Sequence, residues 1–400
     1  MLTSPGHETR VQFLRMRFNL KVRNYRGLRE IDWSPDGVCA LVGANGSGKT
    51  TLLDVPALLR DALERGLARA LEEHGGVANA RNSYANDGDP YDFQVGADAI
   101  YWDMAPIETA NGFRPEERVT RELVTVVERG SGADSARVMG VSVPARDVLA
   151  FRVAMDAAAQ IEPKNALADS IIALGSLLSR YRLYAHYELR ALRLRGSADS
   201  TERRLVPNGS NVFSVLRNWR DKKEDRHRYS FVLDGLRELF QDFFDDLDFS
   251  KAAQVIGAEL RLHGDKTISA SLAPDGWFAA LLHLTAVAST NPGDLIAIDE
   301  PENALHPHAI KLLLEHMRTW ARRHATTILL ATHSPVILDA FRACPDQLYV
   351  MEHAKRTLPV SLSELKDPEW LAHFSLGDLY AREEFGAPND GDEDRPHHDR

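Results

Sequence analysis

One glycine-rich segment has the residue types and the spacing of a phosphate-binding loop. Residues 43–50 read GANGSGKT and match G-x-x-x-x-G-K-[ST] at every fixed position. The glycines allow backbone N–H groups to turn toward an anion, and the helix predicted after Lys49 directs its positive dipole end at the same anion. Lys49 is then expected at the β- and γ-phosphates of ATP, and the Thr50 hydroxyl at Mg²⁺. The predicted nucleotide contacts are Gly43, Ala44, Asn45, Gly46, Ser47, Gly48, Lys49, Thr50 and Thr51.

Two acidic residues follow a short apolar stretch, Leu295 to Ile298. At the carboxyl end of a buried parallel strand, Asp299 and Glu300 would face the phosphate crevice. We expect Asp299 to hold Mg²⁺ together with Thr50, and Glu300 to orient the attacking water and accept its proton. His333 follows the next apolar stretch and is expected at the same edge, within reach of the γ-phosphate. A lone histidine in a loop is more often structural, so this catalytic assignment depends on its neighbours.

Strands and helices alternate around these motifs. Residues 13–42 predict two strands around a turn, and the second strand runs into the glycine loop. A helix follows and continues until Gly75 and Gly76 stop it. Alternating short segments over 91–145 predict antiparallel strands, and residues 146–255 are predicted to be mainly helical. Residues 1–150 and 256–386 are predicted to form the two halves of a nucleotide-binding lobe, and residues 151–255 a helical insertion between them. Residues 387–400 are predicted to be a disordered acidic tail.

Composition places the chain among ordinary globular proteins. It has 400 residues, of which 44% are hydrophobic and 26% are charged. The net charge is −10, so the surface as a whole does not indicate nucleic-acid binding. The two cysteines, Cys39 and Cys344, are too few for a disulfide framework or a zinc site and fit a reducing cytoplasm. The chain starts with polar residues, and its longest apolar run, 278–288, is shorter than the roughly 20 residues of a membrane span. We therefore expect a soluble cytoplasmic protein without membrane contact.

Positive charge is concentrated in residues 180–228. This stretch holds 13 Lys and Arg residues against six Asp and Glu, an excess of seven positive charges. Solvated helix faces would explain the pattern, and so would a surface that faces a polyanion such as DNA. The sequence leaves both interpretations open.

Taken together, these residues resemble the ABC-type ATPases of the SMC/RecF/OLD-like group, AAA-family proteins of bacterial genome maintenance and phage defence. Residues 21–54 resemble the strand, turn and P-loop that open the group. Residues 298–310 resemble its Walker B motif and D-loop, the latter being Asn303 to His306, and residues 329–339 resemble its switch-histidine segment. Residues 206–216 and 374–386 also resemble stretches of the group, to which the resemblance assigns no chemistry. The resemblance implies an α/β P-loop NTPase fold of the ABC-ATPase type: a mixed sheet with helices on both faces, an antiparallel β subdomain and a helical insertion.

In that group two copies enclose two ATP molecules, and the signature motif of one copy, LSGGQ or LSDG, meets the γ-phosphate held by the other. The matching segment here is SLAPDGW, in which Asp275 and Gly276 fit and begin a helix. Pro274 stands where the serine is expected, and Ser271 would replace it only if the turn is shifted. The contact across the dimer is therefore left open. No segment makes a clear Q-loop, and Gln94 is interpreted as a strand residue.

The resemblance implies a homodimeric switch that Mg-ATP closes and hydrolysis opens. OLD relatives carry a TOPRIM nuclease domain, but only 67 residues follow His333, so we expect the effector, a nuclease or toxin, to be a separate protein. DNA is the other expected partner. Three alternatives stay open: a stand-alone DNA-binding repair ATPase, a transporter nucleotide-binding subunit, which the incomplete signature disfavours, and an ATP sensor with little turnover.

Overall fold

The described residues form one largely parallel sheet, two larger antiparallel sheets and a two-stranded antiparallel sheet of β6 and β7, with helices packed on and between them. The computed structural model describes residues 16–386 apart from 87, 110, 111, 146, 147, 164, 265, 353–356 and 372. The predicted disordered tail, residues 387–400, lies outside the described residues.

The secondary-structure elements follow the chain in this order. The strands are β1 (Phe18–Tyr25), β2 (Leu28–Trp33), β3 (Val38–Val42), β4 (Asp92–Ala97), β5 (Ile100–Ala105), β6 (Glu108–Thr109), β7 (Gly112–Phe113), β8 (Glu116–Arg121), β9 (Val124–Arg129), β10 (Ser135–Val138), β11 (Val141–Pro144), β12 (Arg182–Tyr184), β13 (Ser197–Ala198), β14 (Phe244–Ala252), β15 (Val255–Leu262), β16 (Lys266–Ser269), β17 (Leu295–Asp299), β18 (Thr327–Ala331), β19 (Leu348–Val350) and β20 (Val360–Ser361). The helices are α1 (Lys49–Arg65), α2 (Leu67–Glu73), α3 (Ala150–Gln160), α4 (Ala166–Arg180), α5 (Leu189–Arg195), α6 (Val212–Asp221), α7 (Arg226–Leu239), α8 (Asp275–Ala288), α9 (Pro307–His324), α10 (Pro335–Ala340), α11 (Leu362–Leu365), α12 (Pro368–Leu371) and α13 (Leu376–Ala381).

The largely parallel sheet has the strand order β12-β17-β18-β3-β19-β20, in which only the β19–β20 pair is antiparallel. All five residues of β3 are buried, and they alternate between two hydrophobic cores: Val38, Ala40 and Val42 on one face, Cys39 and Leu41 on the other. Because strand side chains alternate with a period of two, this pattern means that helices cover both faces. The predicted mixed sheet with helices on both faces is confirmed.

An eight-stranded antiparallel sheet, in the order β11-β10-β9-β8-β5-β4-β1-β2, lies beside the parallel one. It contributes Trp102 to the core it shares with α1, α3 and α4, where the ring lies 5.0 Å from that of Phe151. The predicted antiparallel subdomain is therefore confirmed. Residues 13–42 were expected to hold two strands, which was wrong: β2 forms between them and pairs with β1. The predicted single helix up to Gly75 is also interrupted, at Gly66, whose φ is 87°.

The predicted mainly helical segment, residues 146–255, does contain five helices in its described part, α3 to α7, but it also contains β12, β13 and β14. β12 is an edge strand of the parallel sheet, and β14 pairs with β15 in a smaller antiparallel sheet. In β14 the buried Phe244 and Leu247 flank Asp245 and Asp246, where the pairing register with β15 shifts, and acidic residues are uncommon in strands. This composition hides a half-buried strand in an acidic stretch. The boundaries of the predicted units stay a prediction.

The helix after the P-loop, α1, is tied to the end of α2 by a histidine between two carboxylates. His74 places Nδ1 2.8 Å from Asp54 Oδ2 and Nε2 2.9 Å from Asp61 Oδ2, and both acids lie on α1. Burial disfavours the charged imidazolium, but the hydrogen bonds and charges of the two acids outweigh burial and raise the pKa of His74 to about 9. The protonated ring therefore clamps the helix that positions Lys49.

This clamp makes stability depend on pH. The pKa of His74 is higher in the folded chain than its unfolded value of about 6.5, so the clamp contributes fully below that value and is lost as the pH rises through about 9. We expect His74→Ala to lower the free energy of unfolding by about 1–3 kcal/mol at about pH 6, and by much less at about pH 10. Denaturant unfolding across this range measures it. The exposed His263 offers a matched control, and a pH-independent loss in His74→Ala would contradict the clamp.

Among the described residues, no helix combines the length and the apolar character needed to cross a membrane. Cys39 is buried in β3, and burial raises the pKa of its thiol to about 12; Cys344 is half-buried, and both thiols are free. The thiol of Cys39 is therefore part of the core.

Candidate nucleotide-binding site

The P-loop lies between β3 and α1, at the carboxyl edge of the parallel sheet. Gly43 has a φ of 153°, and a Cβ on it would stand 2.4 Å from the carbonyl oxygen of Met351. Gly48 has a φ of 93°, and a Cβ there would stand 2.7 Å from Leu28 Cδ2. Both positions need glycine for two reasons, backbone conformation and close packing. These contacts fix the start of the loop and the entry into α1.

The ammonium group of Lys49 is folded back onto the loop. The residue is buried, and its Nζ donates to the carbonyl oxygens of Gly43 at 2.9 Å and Ala44 at 3.0 Å. Burial lowers the pKa of Lys49, while the charges of Asp299 and Glu300 oppose that shift. The ammonium group is thus bonded to neutral backbone carbonyls. Phosphate oxygens can take their place, and because they are negatively charged they form stronger hydrogen bonds with it.

The two predicted magnesium ligands meet directly. Thr50 Oγ1 donates to Asp299 Oδ2 at 2.7 Å, although 249 residues separate them in sequence. Burial and the neighbouring Glu300 raise the pKa of Asp299, and the Thr50 hydrogen bond and the charges of Lys49 and His186 act in the opposite direction. A hydroxyl oxygen and a carboxylate oxygen are typical protein ligands of Mg²⁺ in nucleotide sites, where phosphate oxygens and water complete the coordination shell. The residues present therefore fit this ion.

Glu300 is held by its backbone and leaves its carboxylate exposed. Its φ of 49° is left-handed, which few glutamates adopt, and its N–H donates to the Ala331 carbonyl of β18 at 2.8 Å. Its Oε2 accepts from Asn303 Nδ2 at 2.8 Å. The strained turn carries the acid out of β17 and past Asp299, and Asn303 fixes its side chain.

A third acid in the same segment, Glu302, was missed by the sequence analysis. Its Oε1 accepts from Thr332 Oγ1 at 2.7 Å and from the backbone N–H of His333 at 3.0 Å. The carboxylate thereby joins the segment after β17 to the segment after β18. The only signal in the sequence is that the motif reads DEPE instead of ending at Glu300.

His333 lies at the predicted edge, and its ring is tied to the P-loop through a tyrosine. Nδ1 of His333 is 3.0 Å from Tyr380 Oη, and that hydroxyl donates to the Gly43 carbonyl oxygen at 3.1 Å. Burial and the charge of Lys49 lower the pKa of His333, while Glu302, Glu300 and Asp299 oppose this. The ring is therefore neutral at pH 7. The sequence analysis did not place Tyr380 in the site, although it noted that residues 374–386 resemble a stretch of the SMC/RecF/OLD-like group.

A cleft of about 550 Å³ opens beside the loop. Two predicted nucleotide contacts, Ala44 and Asn45, share it with the predicted catalytic histidine. Its described lining is Ala44, Asn45, His333, Pro335, Tyr380, Ala381, Glu383 and Gly386. The P-loop, the segment after β18 and the C-terminal segment therefore form its walls.

The signature-like residues have other surroundings. Asp275 is exposed and forms an ion pair with Arg193 of α5. A Cβ on Gly276 would stand 2.7 Å from the Ala304 carbonyl oxygen, so Gly276 is needed for packing against the D-loop of its own chain. Pro274 precedes the first turn of α8 without a side-chain cap. The contacts of Asp275 and Gly276 with nucleotide stay a prediction about a second copy. Gln94 lies in β4, where its Nε2 donates to Asp103 Oδ1 at 2.5 Å.

About half of the basic residues in the stretch form ion pairs within the chain. Arg180 and Arg204 both bind Asp294, whose side chain is fully buried just before β17. Other arginines of the stretch also form ion pairs: Arg203 and Arg228 with Asp225, Arg217 with Asp199, and Arg193 with Asp275. These contacts favour the structural interpretation of the positive charge over a surface that faces a polyanion.

Comparison with known proteins finds one similar protein family and several similar solved structures. Residues 160–339, or 180 of the 400 residues, match the protein family described as "AAA domain, putative AbiEii toxin, Type IV TA system". The solved structure of an SMC head bound to the C-winged helix domain of ScpA has a TM-score of 0.50 and 10% identity over 88% of this chain and 100% of that one. Residues 160–339 are therefore similar to an AAA domain, and the chain shares the fold of an SMC head. The predicted resemblance and the predicted P-loop NTPase fold are confirmed.

Other solved structures are similar to this chain at lower scores. The SMC head domain from Thermotoga maritima has a TM-score of 0.42 and 14% identity, over 87% of this chain and 99% of that one. An SMC head of Pyrococcus furiosus bound to a ScpA domain has a TM-score of 0.46 and 10% identity, over 88% and 97%. Comparison with curated proteins finds no match. The family match begins after the P-loop and ends before Tyr380. The assignments of the P-loop and of Tyr380 to the site therefore depend on their residues and on the geometry alone.

Proposed function

We propose that this ATPase binds Mg-ATP and hydrolyses it as a dimerising switch that controls a partner effector or the engagement of DNA. The observation that carries the catalytic part is the 2.7 Å hydrogen bond between Thr50 and Asp299, with Glu300 next to it. It joins the Walker A and Walker B residues in one place. His333 lies at the same edge, two hydrogen bonds from Gly43.

Each residue then has a definite task. Lys49 leaves the loop carbonyls for the β- and γ-phosphates, and the N–H groups at the start of α1 face the same anion. Thr50 and Asp299 would hold Mg²⁺, which neutralises charge on the phosphates when it is bound. Glu300 orients the attacking water and accepts its proton, and His333 contacts the γ-phosphate side of the site.

The dimeric part rests on what lies open next to Glu300. The D-loop residues Asn303, Ala304 and His306 are exposed, and so is Asp275 at the start of α8. Gly276 packs against Ala304, so the α8 N-terminus and the D-loop form one continuous surface. We propose that a second copy covers the nucleotide with this surface and that ATP binding stabilises the closed state, because only that state contacts ATP from both sides.

The effector part of the proposal draws on the family. The matched family is described with a toxin of a type IV toxin–antitoxin system, and the solved SMC head is bound to a separate protein, ScpA. We propose a separately encoded nuclease or toxin as the partner, in the cytoplasm and in bacterial defence or genome maintenance. The test is co-expression with the product of the adjacent reading frame, with and without ATP. A partner that binds equally well with and without nucleotide would contradict a switch.

Assembly is tested by mass in solution. With a non-hydrolysable ATP analogue and Mg²⁺, we expect the wild-type mass to double relative to the nucleotide-free protein, as measured by light scattering. Gly276 is unsuitable for substitution because its neighbour is the D-loop of its own chain. Leu272, 73% exposed just before α8, is the better site: Leu272→Asp should weaken nucleotide-dependent dimerisation by about tenfold or more.

The control for Leu272→Asp is Leu123→Asp. Leu123 is 100% exposed at the turn between β8 and β9, which pack in a different hydrophobic core from α8, so Leu123→Asp should leave dimerisation unchanged. Equal dimerisation of both variants would place the interface elsewhere. A nucleotide-independent mass for the wild type would remove the assembly step from the proposal and leave hydrolysis to be judged by its own assay.

A further inference from the structure

The C-terminal segment, residues 374–386, is docked against the helix that follows the switch histidine. α13 begins after Ser375, whose Oγ accepts from the Asp378 N–H at 3.1 Å. Asp339 of α10 accepts from Ser375 Oγ and from the Gly377 N–H, both at 3.2 Å. A Cβ on Gly377 would stand 2.6 Å from Pro335 Cβ, so only glycine allows α13 this close to α10. The docking fixes the position of α13 relative to His333.

The same segment also contacts the P-loop. Phe385 is buried and packs on the Tyr380 ring, with the ring centroids 5.7 Å apart. A Cβ on Gly386 would stand 2.9 Å from the Tyr380 ring and 3.3 Å from Gly43 Cα. The residues of this segment therefore place one side chain, Tyr380, between the P-loop and the switch histidine.

The hydrogen bonds of Tyr380 determine where the proton on His333 sits. A phenol has one proton, and a carbonyl oxygen only accepts. Because Tyr380 Oη donates to the Gly43 carbonyl oxygen, the 3.0 Å contact with Nδ1 of His333 is made only if Nδ1 carries a proton and donates. In a neutral ring Nε2 is then unprotonated, and it is the ring nitrogen that is left for the nucleotide side.

We propose that Tyr380 is a positioning residue of the nucleotide site, which ties His333 to the P-loop and fixes its Nδ1-protonated tautomer. The proposal rests on the proposed function, since it assigns His333 a place in ATP turnover. Tyr380 lies outside residues 160–339, the part of the chain that matches the known family.

Nucleotide binding strengthens this link. The Gly43 carbonyl oxygen accepts from Lys49 Nζ at 2.9 Å as well as from Tyr380. When Lys49 turns to the phosphates, that oxygen loses its charged donor, and the hydroxyl of Tyr380 becomes the side-chain donor on which it depends. ATP therefore commits the Tyr380 proton to Gly43 and the Nδ1 proton of His333 to Tyr380, which leaves Nε2 free to accept a hydrogen bond from the attacking water.

The tautomer is measured directly in the nucleotide-free protein. Histidine labelled with ¹⁵N gives distinct ring-nitrogen shifts for the two neutral forms, and His333→Gln identifies the signal. We expect His333 to be protonated at Nδ1 in the wild type, and Tyr380→Phe, which removes only the hydroxyl, to shift it toward the Nε2-protonated form. An Nε2-protonated wild type, or a tautomer unchanged in Tyr380→Phe, would overturn the proposal, whether or not the protein hydrolyses ATP.

Turnover provides the second readout. Tyr380→Phe should lower kcat about three- to tenfold, the worth of one hydrogen bond, while KM and the affinity for a fluorescent ATP analogue change less than about twofold. The matched control is Tyr187→Phe. It removes a partly buried phenol that packs against the core and pairs with another histidine, Nδ1 of His283, at 3.2 Å. That variant should keep wild-type kcat. Equal kcat values for Tyr380→Phe and the wild type would contradict a positioning role, and loss of activity in the wild type itself would contradict only the proposed function.

Discussion

Lys49→Ala is expected to weaken the binding of Mg-ATP by about 100-fold or more. The side chain is buried at the loop, and its ammonium has only backbone carbonyls to exchange for phosphate oxygens. Removing one partner of a buried charge pair costs about 3 kcal/mol or more, which is about two decades in affinity. Calorimetric titration with Mg-ATP measures the loss.

The matched control is Lys311→Ala, which removes an exposed lysine of α9 and should bind ATP as the wild type does. Folding needs its own check, because Lys49 also bonds Gly43 and Ala44. Thermal unfolding should move little, since the substitution also removes a charge that burial disfavours. An affinity of Lys49→Ala within about threefold of the wild type would remove the P-loop assignment.

The site residues that could be predicted are those that directly follow a buried strand in the sequence. Lys49, Asp299 and His333 each follow an apolar stretch, and parallel strands bring their carboxyl ends to one edge. The register shows this directly: Asp299 pairs with Ala331, and Ala331 with Leu41. Strand, motif and edge together were sufficient to bring the three side chains into one site.

What could not be predicted depends on contacts between distant segments. Tyr380 lies 337 residues from Gly43, and nothing local indicates that its hydroxyl bonds that carbonyl. Glu302 serves two groups after β18, and this follows from the packing of two loops and not from its own motif. The close approach of Gly377 to Pro335 is likewise visible only in three dimensions.

The charge of residues 180–228 shows the same limit. An excess of arginine predicts positive charge, but its partners lie elsewhere in the chain, as Asp294 does for Arg180 and Arg204. The three residues come from the end of α4, the chain before α6 and the turn before β17. A fully buried carboxylate with two guanidinium partners is a structural junction between the predicted helical insertion and β17. Sequence counts cannot distinguish it from a DNA-facing surface.

Glu300→Gln is expected to slow ATP hydrolysis about 100-fold, and by at least about tenfold, while it keeps the affinity for Mg-ATP within about threefold. Glutamine has the size of glutamate and retains an oxygen that accepts from Asn303, so the side chain should stay in place. The left-handed backbone at this residue strains both side chains alike. The one property lost is the ability to accept a proton from water.

The comparison that isolates this property uses Glu315→Gln, which makes the same change on the exposed face of α9 and should keep wild-type turnover. Turnover is measured as phosphate release, and affinity by calorimetry on the same preparations. If Glu300→Gln turned over at the wild-type rate, the base would have to be another group. Glu302 would be a poor replacement because its Oε1 already accepts two hydrogen bonds and its Oε2 is buried away from water. If affinity fell together with rate, the carboxylate would be binding Mg-ATP and not activating water. A slow variant with intact affinity, in contrast, keeps ATP in place and should hold the dimer closed longer than the wild type does.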